Sequence, residues 1–201
     1  MRYLSAVTLI THMLRRSFSG MPVGPITLID EVGVDVASKV ASFLSNADLG
    51  KRMGGGDISL MSKMVEKGWL GKKSKQGFFT YTGKKDKAIG PEVNSYLREF
   101  TGGRVSGMSE TDIQDRIASR LVNEAAKCLE DGIIDNPVDG DIGLVFGIGF
   151  APFKGGPFRY MDAVGVTSYV DRMNRFADEL GEQFEPCQLL KDYAASEKKF
   201  H

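Results

Sequence analysis

The sequence predicts an all-α protein built from two tandem copies of one helical module. Three observations carry this. Apolar residues recur mostly at helical spacing, glycine and proline punctuate the chain where helices should start and stop, and one motif returns at a constant offset of 132. Pro25 answers to Pro157, Asp30 to Asp162 and Gly33 to Gly165, with apolar pairs Ile26 and Phe158, Leu28 and Tyr160, and Ile29 and Met161 between them.

The first copy of the motif runs from Gly24 to Gly33. Pro25 suits a first helical position, Leu28, Ile29 and Val32 share a face, and Gly33 can close the turn at positive φ. Asp35 is placed to cap a second helix, in which Val36, Val40, Phe43 and Leu44 recur until Asn46. Gly54-Gly55-Gly56 then breaks the chain, Asp57 can cap a third helix with Leu60, Met61, Met64 and Val65 inward, and Gly68 ends it. A basic loop leads to the extended run Phe78-Phe79-Thr80-Tyr81.

Residues 83–108 read as a linker rich in lysine and glycine, with a short amphipathic helix from Pro91 through Val93, Tyr96, Leu97 and Phe100. Ser109-Glu110-Thr111-Asp112 resembles a capping box, and Ile113, Ile117, Leu121, Ala125 and Cys128 mark one face of a long helix reaching about Asp131. At ~1.5 Å per residue that helix is roughly 30 Å long. Past Asp141, Ile142 to Phe150 is a glycine-rich apolar helix able to pack closely on a neighbour, ended by Pro152. The motif then returns, followed by a helix carrying Val166, Tyr169, Val170, Met173, Phe176 and Leu180.

The expected organisation is therefore a leading segment 1–19, a first module 20–82, the linker 83–108 and a second module 109–201. In the second copy the long helix precedes the shared motif. Projected back by 132 it would start before residue 1, so the first module reads as N-terminally truncated or joined there to unrelated sequence.

Composition narrows the function classes. Lysine and arginine number 26 and so do aspartate and glutamate, so no overall field draws the chain to nucleic acid. No run approaches the roughly 18–20 apolar residues of a membrane span. Cys128 and Cys187 lack the spacing of a zinc site or a disulfide framework and read as reduced and structural. The stretch before Asp30 holds Arg2, Arg15 and Arg16 among hydroxyl residues and no acid. That composition fits an organelle transit peptide, or a basic first helix with Leu4, Val7, Ile10, Met13 and Leu14 on one face.

Chemistry is sparse. No GxGxxG follows a strand, and none of the Gly-Lys pairs has the glycine that a P-loop needs. His12 and His201 are the only histidines, and neither is expected to be held against a carboxylate in a buried cleft; no catalytic residue and no metal site are assigned. Lys67, Lys72, Lys73 and Lys75, beside Trp69, could meet the phosphates of a coenzyme or an acidic lipid head group, or form a solvated loop. Pro25, Asp30, Gly33, Pro157, Asp162 and Gly165 read as a structural turn motif, with the two aspartates capping or hydrogen-bonding near the turn.

Met21-Pro22-Val23-Gly24-Pro25 with Leu28, Asp30 and Gly33, followed by Lys67-Gly68-Trp69-Leu70-Gly71 through Gln76-Gly77-Phe78-Phe79-Thr80-Tyr81, closely resembles the helical C-terminal domain of 3-hydroxyacyl-CoA dehydrogenases. Gly140-Asp141-Ile142-Gly143 through Phe150, Gly155-Gly156-Pro157-Phe158-Arg159 and the closing Pro186-Cys187-Gln188-Leu189-Leu190 are similar to the trifunctional-enzyme α-subunits among them.

The resemblance implies a family that oxidises 3-hydroxyacyl-CoA with NAD, whose NAD fold and catalytic histidine and glutamate precede the region seen here. The chain is then expected to be the substrate-side and subunit-assembly part of such an enzyme, binding no cofactor itself and meeting acyl-CoA only beside an NAD domain. Expected partners are a thiolase β-subunit or other α-subunits, with peripheral membrane contact through the lysine loop; the alternative is a non-enzymatic module docking on those partners. The trifunctional likeness and the ending Lys199-Phe200-His201, which is no peroxisomal address, point to mitochondria.

Overall fold

The structure, a computed structural model, describes residues 24–47, 58–81, 92–97 and 109–201. The leading segment, the Asp57 cap and most of the linker lie outside the described residues. The protein is mostly helical, as the spacing predicts, and divides into two compact units.

The first unit holds α1 (Pro25–Val32), α2 (Val34–Asn46), α3 (Ser59–Glu66), a 3-10 turn at Lys72–Ser74, and a minimal antiparallel pair, β1 (Phe79–Thr80) and β2 (Glu92–Val93). Pro25 opens α1 at its first position. Gly33 alone joins α1 to α2, with φ 114°, a value that L side chains rarely adopt, so the chain turns without a loop. Asp35 does not cap α2: Gly33 is the capping residue and Asp35 sits in the first turn. The core gathers Val34, Met64, Phe78, Phe79 and Leu97, with Ile26, Ile29, Leu60, Met61, Val65 and Trp69 packed against it. The outward side of α1 and α2 is apolar too: Leu28, Val32, Val36, Val40 and Phe43 are exposed, although their spacing matches an inward face.

Glu92–Val93 is a strand, where the amphipathic spacing from Pro91 predicts a helix. Phe79 pairs with Val93 and Thr80 with Glu92, and Asn94 closes the arrangement by donating its side-chain amide to Gly77 O at 2.8 Å. Open backbone groups on β1 outweigh a weak helical pattern here.

The second unit holds α4 (Glu110–Glu130), α5 (Pro137–Ile148), α6 (Pro157–Val164), α7 (Val166–Leu180) and α8 (Gln188–Ala195). The long helix ends where its spacing predicts. Helix α5 starts earlier than expected, at Pro137, capped by Asn136 Oδ1 accepting the Asp139 N–H at 3.0 Å. It ends at Gly149 in the left-handed conformation, before Pro152. Gly165, φ 92°, joins α6 to α7 as Gly33 joins α1 to α2. Val122, Ala125 and Ala126 of α4 pack with Phe158, Tyr160, Met161, Tyr169, Met173 and Leu190 in one core. Both cysteines are free, and burial pushes the Cys187 thiol up, toward an inert form.

The glycines of α5 differ from expectation. A β-carbon at Gly140 would lie 2.8 Å from Ile134 Cδ1 and strike the Phe158 ring, whereas one at Gly143 or Gly147 would meet open space. Close packing therefore falls at Gly140, and the outward side of α5 carries Ile142, Ile148 and Phe146, the last 85% exposed. Gly140→Ala should destabilise the second unit by about 1–3 kcal/mol through overpacking. Gly143→Ala should instead stabilise it by about 0.5–1 kcal/mol through helix propensity. Urea unfolding of the two variants, followed by circular dichroism, measures both signs.

Candidate functional site

The two motif aspartates do the same job at unexpected range. Asp30 is fully buried; its Oδ1 accepts the Phe78 N–H and its Oδ2 the Phe79 N–H, both at 2.9 Å, and Oδ2 also accepts from Tyr81 Oη at 3.0 Å. Asp162 accepts the Phe200 N–H at 2.9 and 3.1 Å and the His201 N–H at 2.9 Å. Each carboxylate thus binds two consecutive backbone N–H groups, 48 residues downstream in the first copy and 38 in the second. Local capping near the turn is not what they do. Burial pushes Asp30 above the usual carboxylate range, and the three hydrogen bonds offset part of that shift.

Glycines in these segments make room for the aspartates: Gly77 and Gly156 for a carboxylate, Gly71 for the Asp30 backbone. A β-carbon at Gly77 would stand 2.7 Å from Asp30 Cγ, and one at Gly71 2.8 Å from Asp30 Cα. In the second unit a β-carbon at Gly156 would stand 2.5 Å from Asp141 Cγ. Asp141 Oδ1 accepts the Phe158 N–H at the start of α6, at 2.8 Å.

Asp141 also corrects an expectation about histidine. His201 Nε2 lies 2.8 Å from Asp141 Oδ2, the carboxylate buried and the imidazole side chain only 16% exposed. Three neighbours bring it there: Asp162 holds the backbone, Phe200 stacks on Tyr193 with centroids 4.4 Å apart, and Phe200 meets Phe158 at 4.9 Å. The imidazole is thereby the fastener of a tail laid over α5 and α6. Such a pair is part of an acid–base relay elsewhere. Here the second Asp141 oxygen is already spent on Phe158.

The lysine loop is a built turn. Leu70 donates its N–H to Ser74 Oγ at 2.8 Å, Ser74 Oγ donates to Gln76 O at 2.8 Å, and Leu70 O accepts the Val34 N–H at 3.2 Å. Lys72 reaches Glu31 at 3.3 Å and Lys73 reaches Asp35 at 2.5 Å. These two cations are therefore matched by acids of α1 and α2. Lys67 caps the end of α3 through its backbone and Lys75 takes a left-handed φ of 62°; both are exposed. Trp69 packs on Tyr96, ring centroids 5.9 Å apart.

Among the described residues no cluster of three or more His, Cys, Asp or Glu could hold a metal, and no helix is long and apolar enough to cross a membrane. The described residues do not fit a dinucleotide either: the glycine loops that might cradle a pyrophosphate close on the carboxylates of Asp30 and Asp141, which repel one.

The model of the family described as "3-hydroxyacyl-CoA dehydrogenase, C-terminal domain" matches residues 10–81 and 113–199, most of the chain and one stretch in each copy. The chain belongs to this family. Among curated relatives, the fatty acid oxidation complex subunit alpha of Vibrio vulnificus is 46% identical over 182 residues, covering 90% of this chain and 25% of that one. Its namesake in Shewanella loihica is 40% identical over 182 residues with the same coverage. The chain spans about a quarter of the length of these relatives.

Two solved structures share the fold of this C-terminal domain chain. The 3-hydroxybutyryl-CoA dehydrogenase of Escherichia coli K12 has a TM-score of 0.65 at 17% identity, covering 98% of this chain and 57% of that one. The dehydrogenase part of multifunctional enzyme 1 from C. elegans has a TM-score of 0.58 at 15% identity, covering 92% and 41%. The mitochondrial expectation is overturned: the relatives at 40–46% identity come from the bacteria Vibrio and Shewanella, which have no mitochondria. A basic, acid-poor opening segment is not specific enough to carry an address.

The sequence reading of this domain missed Asp141, His201, Gly77 and Asn94. One signal was there: an aromatic residue follows each motif aspartate at the point where its N–H is needed, Phe78 in one copy and Phe200 in the other. Asp30→Asn should cost about 1–3 kcal/mol, because the amide places a donor against a backbone N–H, which can only donate; thermal unfolding reads the loss. Lys73 holds the Asp35 carboxyl below the usual range. Stability from Asp35 is then present above the ordinary carboxylate pKa and lost as pH falls through the lowered one. Lys73→Met should raise the acid-unfolding midpoint relative to the parent chain, as a pH titration of helical signal would register.

Proposed function

We propose that this chain is the substrate-side and subunit-assembly region of an NAD-dependent 3-hydroxyacyl-CoA dehydrogenase acting in fatty-acid β-oxidation, without activity of its own. The observation that carries the reading is that the chain matches one quarter of fatty acid oxidation complex α subunits, in a region of the dehydrogenase C-terminal type. The dinucleotide fingerprint is missing from the sequence, and Gly77 and Gly156 are closed by the carboxylates of Asp30 and Asp141. Acyl-CoA would be met beside an NAD domain on another polypeptide or further along the same one. Lys67, Lys72, Lys73 and Lys75 are then the groups for the coenzyme phosphates, or for an anionic membrane surface, with Lys72 and Lys73 first giving up Glu31 and Asp35.

A second reading, a non-enzymatic module that docks on a thiolase β-subunit or on α-subunits, is favoured by the outward apolar side of α5. Co-elution of the chain with such a partner, abolished by Phe146→Asp, is the outcome that reading requires.

With acetoacetyl-CoA and NADH the purified chain should leave NADH absorbance constant. Steady consumption should appear when an α-subunit truncated before the matching quarter is added. Turnover by the chain alone, or none with the supplement, overturns the proposal.

A further inference from the structure

Among the described residues, one buried side-chain oxygen or nitrogen finds no hydrogen-bond partner in the protein: the Tyr169 hydroxyl. Tyr169 stands on α7 and is 1% exposed, in the core with Val122, Phe150, Met161, Met173 and Leu190. Burial pushes its hydroxyl far above the usual phenol range. A phenylalanine would fill that space without taking a polar atom out of water, so the oxygen needs a partner.

The chemistry for one lies next to it. Tyr160 of α6, Asp115 of α4 and Arg172 of α7 all act on the Tyr169 hydroxyl electrostatically. The Tyr160 and Tyr169 rings meet edge to face, centroids 5.9 Å apart. Arg172 Nη1 donates to Asp115 Oδ2 at 2.6 Å, and Tyr160 donates its hydroxyl to the same carboxylate, which is buried. A carboxylate paired with a guanidinium offers about four acceptor positions, so these two bonds leave room for a further donor. Tyr169 does not supply it directly, because its hydroxyl bonds to no described residue. Buried polar groups set further apart than one hydrogen bond are commonly joined by an ordered water.

The frame of the module does not require this polar set. At the offset of 132 the first copy has Leu28 for Tyr160, Ala37 for Tyr169 and Val40 for Arg172, and its α1 and α2 still turn at one glycine. The cluster is a feature of the second copy alone.

We propose that the second unit holds one internal water molecule between α4 and α7, accepting the Tyr169 O–H and donating to the Asp115 carboxylate. The water closes a chain from Arg172 through Asp115 to Tyr169. It ties the long helix to α7 from inside, as the Arg175–Asp112 pair does nearer the surface. The inference stands apart from the reaction proposed above.

The test uses the full 201-residue chain and its Tyr169→Phe variant. Oxygen-17 magnetic relaxation dispersion counts the water molecules that stay bound in the fold, and the variant should count one fewer. Its melting temperature should fall by about 2–4 °C, because a bonded hydroxyl has been lost. A melting temperature that rises instead marks the removal of an orphaned hydroxyl and overturns the proposal, as does an unchanged count. Crystals of the parent chain give a reading independent of any substitution: one solvent peak within hydrogen-bond distance of both Tyr169 Oη and an Asp115 oxygen is expected. A Tyr169 hydroxyl bonded directly to protein, or one with no solvent beside it, overturns the proposal too.

Discussion

A carboxylate that accepts two consecutive backbone N–H groups, fully buried in the first unit and half-buried in the second, is the constraint on which each unit depends. Asp30 does this for Phe78 and Phe79, and Asp162 does it for Phe200 and His201. The strand or tail so captured brings aromatic side chains to the core: Phe78 and Phe79 in the first unit, and in the second Phe200 packed against Phe158. A carboxyl group buried as deeply as Asp30 needs partners for its oxygens, and three hydrogen bonds supply them. Gly77 follows from this, since a side chain there would occupy the space of the Asp30 carboxylate, and Gly71 makes room for the Asp30 backbone.

Much of the fold was legible in the sequence, and the parts that were not have a common cause. Helices α1 to α4, α6 and α7 follow from apolar spacing and from Pro25, Gly33, Pro157 and Gly165, all signals that act within a turn or two. The aspartate bonds act over 38 and 48 residues, and no periodicity reports on them. His201 was misread for the same reason, because its partner Asp141 lies 60 residues away and meets it where Asp162 holds the tail. Spacing likewise shows that Val36, Val40 and Phe43 share a face, but cannot say whether anything covers it.

The site was legible to a different degree. The lysine quartet was visible as composition, whereas the matching of Lys72 and Lys73 needed the positions of Glu31 and Asp35 on α1 and α2. Family membership came from longer motifs than any single site provides, which is why the assignment of fold and relatives is firmer than that of residues. The mitochondrial localisation, inferred from the trifunctional likeness and the Lys199-Phe200-His201 ending with a basic opening stretch in agreement, failed against the bacterial relatives.

The single-glycine corners have a consequence for how the two halves diverged. Because one residue at positive φ sets the angle between paired helices, neither copy could adapt by bending or lengthening the corner without losing it. The copies differ instead in outward side chains: one bracket carries Arg172 and Arg175 where the other carries Val40 and Phe43. The duplication thus behaves as a fixed hinge plate, cast twice and drilled for different screws.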